Sequence, residues 1–172
     1  MKTVLNMCVA VMVVGLVPSE PAFSRDTAKL FGFGWSQVAT LQANNNALNI
    51  TYSPASALQV GINAGSKCNT DDFIVGGYVR YDLNGLITPR LSPWSYFNVY
   101  AKIGAYGRFG DKVDSGMTFH APFVGVELFP FREVEFSLMS EWGAVIDIIS
   151  PNAFAIGTNM DQLASVGLKL YL

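Results

Sequence analysis

Polar and apolar residues alternate along most of this chain. In the segment 29–35, Phe31, Phe33 and Trp35 fall on one face and Leu30, Gly32 and Gly34 on the other, the period of a β-strand with two unlike faces. The same period recurs over 47–53, 57–65, 72–83, 96–109, 121–130 and 133–147. It recurs once more at 163–172, where Val166, Leu168, Leu170 and Leu172 oppose Ser165, Gly167, Lys169 and Tyr171. No sustained apolar run at helical spacing follows Lys29. The pattern therefore predicts an all-β domain of about eight strands with no linker inside it.

The second face of these strands is unusual in being rich in glycine, at positions 32, 34, 61, 65, 76, 104, 125, 143 and 167. Glycine weakens a strand and gains nothing at a water-facing surface. It is useful in the interior of a small closed barrel, which is only wide enough for side chains to fill. Hydropathy points the same way: charged residues make up 14% of the chain, against about 25% in an ordinary soluble domain. With strands alone available to cross a bilayer, a closed antiparallel up-and-down transmembrane β-barrel is the structure that satisfies every backbone group. A strand that closes such a barrel also explains why alternation runs to Leu172.

Connections and termini set the expected orientation. Residues 53–56 and 130–133 read as tight turns, whereas 41–47, 66–72, 110–116 and 150–162 read as longer polar loops. Short periplasmic turns and longer outer loops are the usual asymmetry of such barrels; the long connection 84–95 departs from it. Pro122 lacks a ladder donor and predicts a bulge or a late strand start. Trp35, Tyr52, Tyr81, Trp94, Tyr96, Phe129, Phe131 and Tyr171 lie near strand ends and suit interfacial girdles.

Residues 1–24 read as a cleaved signal peptide: Lys2, an apolar run from Val4 to Val17, then small residues Ala22 and Ser24 before Arg25. The apolar run is shorter than the roughly 20 residues of a spanning helix. Cleavage removes Lys2 and Glu20 from 11 basic and 13 acidic residues, leaving 10 and 12 in the domain 25–172 and the same net charge of −2. No basic excess points to nucleic acid. Cys68 would be the one cysteine of the mature chain, so no internal disulfide is expected.

The leader, the glycine-spaced strands, the alternating turns and loops and the final "VGLKLYL" resemble the small outer-membrane β-barrels of Gram-negative bacteria, such as the OmpA membrane domain and the OmpX and OmpW groups. The resemblance implies residence in the outer membrane, contact with its lipid, and insertion by the barrel assembly machinery. Members commonly end in Phe, where this chain has Leu172. Their roles differ, so function is read from the interior.

The charges assigned to that interior are Arg80, Asp82, Glu127, Glu135 and Lys169 toward the periplasmic end, Lys102 and Glu141 near mid-height, and Arg108 and Asp147 toward the outside. Opposite charges in a narrow lumen must pair, giving a plug or a gate in a protein with a structural or minor small-solute transport role. A monomer is the expected state. No catalytic residue, metal ligand or cofactor site is assigned. His120, the one histidine, is expected at the outer rim with Ser115 upstream, without the His-x-Ser spacing of barrel deacylases. Glu135 and Glu141 stand about 20 Å apart along one strand, too far for joint acid and base work. The alternative is a soluble, lipocalin-like periplasmic barrel in which Val60, Val79, Val99, Leu138 and Leu168 line an apolar cavity.

Overall fold

The computed structural model describes residues 29–41, 44–55, 57–66, 73–83, 97–110, 115–130, 135–150, 153–158 and 165–172. The leader 1–24, Cys68, Trp94, Tyr96, Phe131 and the whole connection 84–95 lie outside the described residues.

Nine strand segments follow one another: β1 (Phe31–Ala39), β2 (Asn44–Ala55), β3 (Leu58–Ser66), β4 (Phe73–Asp82), β5 (Phe97–Phe109), β6 (Gly116–Leu128), β7 (Phe136–Ser150), β8 (Ala153–Thr158) and β9 (Ser165–Tyr171). Each pairs antiparallel with its neighbour from β1 to β8, and β9 pairs with both β7 and β1. The last stave is divided: β9 lies against Phe136–Glu141 of β7, and β8 against its outer half from Ala144. Eight staves thus close into one antiparallel barrel, all-β as the alternation predicts. Phe31 and Leu172 exchange backbone hydrogen bonds at the closure, the Phe31 N–H donating at 3.1 Å and the Leu172 N–H at 2.7 Å.

Closure fixes the stagger of the strands. Following register partners from Trp35 through β2 to β6 leads to Ile148 on β7, while the other way round, through Leu168, leads to Leu138. The ten-residue offset on β7 between these two positions is the shear that tilts the strands of a barrel by about 35–45°.

The two faces are inverted relative to a water-soluble protein. Phe33, Leu48, Ile62, Val79, Ile103 and Leu168 are among the large apolar side chains exposed on the outside. The inside buries Asn49, Asn63, Arg80, Lys102, Glu127, Asp147 and Lys169. This overturns the alternative arrangement: Val60, Val79, Leu138 and Leu168 point outward and line no cavity, because the inner positions of the same strands carry the charges and amides.

Four local expectations are corrected. Residues 44–47 belong to β2, where Asn44, Asn45 and Asn46 pair with Ala39, Val38 and Gln37, so the first outer connection is short. The expected long loop 150–162 contains β8, which continues the hairpin upward from β7. Strand β6 begins at Gly116, not near Ala121, and runs through Pro122; the bulge expected there is present, with one extra residue between His120 and Phe123 relative to both neighbours. That bulge accommodates the missing proline donor and moves the inward phase from His120 to Phe123. Finally, Tyr171 and Phe129 are buried inside, with ring centroids 6.0 Å apart, and are not girdle residues.

Candidate functional site in the barrel interior

The interior is assembled from alternate residues of every long strand, and large rings lie where the facing strand has glycine. Tyr100 is the register partner of Gly125, and Tyr78 of Gly61. A β-carbon at either glycine would collide with the tyrosine ring. Glycine on the inner face thus clears room for the aromatic and charged groups that fill the narrow space.

Near the end where Phe31 and Leu172 pair, Arg80 on β4 meets two carboxylates. Its Nη2 stands 2.8 Å from Asp82 Oδ1 and 2.5 Å from Glu127 Oε2, and its guanidinium stacks on the Tyr100 ring at 3.7 Å. Glu127 Oε1 accepts hydrogen bonds from Ser137 Oγ at 2.6 Å and Tyr171 Oη at 2.7 Å. Lys169 donates to Gln59 Oε1 at 2.7 Å, and Gln59 Nε2 donates to Tyr171 Oη and Ser53 Oγ at 3.1 Å each. Eight side chains from six strands are joined by hydrogen bonds and ion pairs at this level. Glu135 is half-buried just before β7, where its carbonyl accepts the Tyr171 N–H.

At mid-height Lys102 on β5 is ion-paired with Glu141 on β7, and Tyr100 Oη donates to the same carboxylate at 2.9 Å. Tyr100 therefore joins the two levels, its face under Arg80 and its hydroxyl on Glu141. On the opposite wall, Asn49 donates to Asn63 and to Tyr78 Oη, the latter at 3.1 Å, and Asn63 donates to Tyr106 Oη.

Toward the other end, Asp147 on β7 accepts from Thr118 Oγ1 at 2.7 Å and from the Leu41 N–H at 3.1 Å, while Arg108 Nη1 stands 3.6 Å from its second oxygen. His120 is 1% exposed, so the expected rim position is overturned. Its Nε2–H donates to the Ala39 carbonyl at 2.8 Å, and its ring stacks on Phe123 at 4.1 Å. Ser115 is exposed outside the barrel interior, so no histidine and serine face each other at a rim among the described residues.

Of the nine charged positions singled out in the sequence, seven are ion-paired within their own levels, Arg80 with Asp82 and Glu127, Lys102 with Glu141, and Arg108 with Asp147, while Lys169 is buried and donates to Gln59. The residues missed were the neutral ones that hold these charges: Ser53, Gln59, Tyr100, Thr118, Ser137 and Tyr171. Several occupy the inner phase of the alternation, which was the available signal. At mid-height the interior thus holds paired charges and aromatic rings side by side.

No family model matches the chain, and no curated protein sequence does. Among solved structures, the barrel is similar to the N-terminal β-barrel domain of Pseudomonas aeruginosa OprF, with a TM-score of 0.57 at 9% identity, covering 84% of this chain and 98% of that one. At that identity the likeness concerns the fold.

Proposed function

We propose that this chain is an integral outer-membrane β-barrel protein with a structural role, its interior plugged by salt bridges so that solute passage is minor or absent. The observation that carries this reading is the inversion of the two faces: Ile103 is 58% and Leu48 72% exposed, while Arg80 is 2% and Lys169 0%. Water would penalise an apolar surface of that extent, whereas lipid favours it and leaves the polar groups the inside. The closed ladder satisfies the strand backbone without solvent. The leader would export the chain, the barrel assembly machinery would insert it, and lipid would be its main partner, with the monomer complete in itself. The reading assigns it no enzymatic activity.

The test is envelope fractionation followed by planar-bilayer recording of the purified protein. The reading expects sedimentation with outer membrane and no sustained conductance. Recovery in the soluble periplasmic fraction would overturn the membrane assignment, and steady ohmic current would overturn the plug in favour of a gate whose pairs exchange partners.

A further inference from the structure

Among the described residues two arginines are buried in the interior, each with two nitrogens that lack a hydrogen-bond partner, Nη1 and Nη2 of Arg80 and Nε and Nη2 of Arg108; they differ in how closely carboxylates approach them. Arg80 donates Nε to Asp82 at 2.8 Å and has Glu127 and Tyr100 around it. Arg108, 5% exposed, has one ionic contact among the described residues, to Asp147, at 3.6 Å. That distance is beyond a hydrogen bond, and Asp147 is already served by Thr118 and the Leu41 N–H. Nε and Nη2 of Arg108 are both buried and have no hydrogen-bond partner.

The two register-paired neighbours offer no side-chain acceptor to replace them. Arg108 has Ile74 as its register partner on β4 and Gly116 on β6. Ile74 belongs to a buried apolar cluster with Val38, Ala47 and Tyr106, and Gly116 has no side chain to offer an acceptor. Nε and Nη2 lie along one edge of the guanidinium, the edge that takes two oxygens of a carboxylate or phosphate side by side. A buried guanidinium with that edge unmatched is costly, and an oxyanion is the group that relieves the cost. Arg108 is also one residue from the end of β5 farthest from the Phe31–Leu172 closure.

We propose that Arg108 anchors a binding site for a small oxyanion, the carboxylate or phosphate group of a soluble molecule, in the half of the interior away from the Phe31–Leu172 closure. Nε and Nη2 grip two of its oxygens, and Asp147 sets its affinity by standing close with the opposing charge. The site depends on the barrel interior alone, so it stands or falls independently of the membrane role.

The test is calorimetric titration of the refolded mature chain in zwitterionic detergent and chloride buffer, with sodium phosphate in one series and sodium acetate in another. Saturable binding of either anion at one per chain is expected, phosphate alone defining a tetrahedral site and acetate a planar one. Arg108→Gln should weaken it by about tenfold or more. Arg108→Lys, which keeps the charge and loses the fork, should fall in between. Asp147→Asn should tighten it, and this variant and Arg108→Lys carry the test should Arg108→Gln fail to fold. Heat released by neither anion, binding that survives Arg108→Gln or is unchanged in Arg108→Lys, or weaker binding in Asp147→Asn would each overturn the proposal; water alone would then fill the edge.

Discussion

Tyr100 and Gly125 face each other across the β5–β6 ladder, and the tyrosine ring occupies the space a side chain at position 125 would fill. The same ring carries Arg80 on its face and gives its hydroxyl to Glu141. One missing β-carbon therefore positions a group that links two levels of charge. Gly125→Ala should displace the ring and cost about 1–3 kcal/mol through forced repacking. A urea titration of the refolded barrel, followed by tryptophan fluorescence, measures it; an unchanged midpoint would contradict the role given to Gly125.

Glu127 is fully buried and accepts from Ser137 and Tyr171 while pairing with Arg80. Glu127→Gln keeps the size and removes the charge, leaving Arg80 with Asp82 as its one carboxylate. Breaking a buried pair costs about 3–5 kcal/mol, an upper bound here because Asp82 remains. The Arg80→Met, Glu127→Leu double variant should recover much of the loss. Thermal unfolding of the parent, Arg80→Met, Glu127→Leu and the double variant gives the coupling; additive effects would show that the two groups act independently.

Tyr171 donates to Glu127 and accepts from Gln59. Tyr171→Phe leaves both groups short of a partner and should cost about 1–3 kcal/mol. Tyr81, exposed on the outside, should tolerate the same change, and the difference between the two midpoints in urea separates an interior tyrosine from a surface one.

Ile103 sits in the middle of β5 and is 58% exposed. Ile103→Arg should lower the stability of the barrel in a bilayer by about 2–4 kcal/mol, the cost of an arginine on the lipid face near the midplane. Folding yield into phospholipid vesicles reports it. A neutral result would place Ile103 in water.

Most of the barrel was legible because the alternation is carried by side chains of opposite character. Arg80, Lys102 and Lys169 each sit between apolar neighbours, so their phase is unambiguous. Legibility failed where that contrast failed. In "AFAIGT" both faces are apolar or small, so β8 had no alternation to display and read as loop. Asn44–Asn46 are turn-formers by propensity, yet the ladder to Gln37–Ala39 holds them in β2. The bulge at Ala121 and Pro122 reverses the phase, which hid the strand before it and put His120 at a rim it does not occupy. Tyr171 lay on the inner face of the terminal alternation, but an amphipathic ring near a strand end suits an interface as well as an interior. The pairing of charges across strands depends on the ten-residue stagger, which no single strand encodes.

The most direct test of the central claim, a closed barrel with lipid outside and charge within, is the electrophoretic mobility of the mature chain refolded into phospholipid vesicles and run in SDS with and without boiling. The account predicts a compact, faster or otherwise displaced band before heating that converts to the unfolded position on boiling, because the closed ladder resists detergent until it is melted. One band at the unfolded position under both conditions, after incubation with lipid, would contradict it.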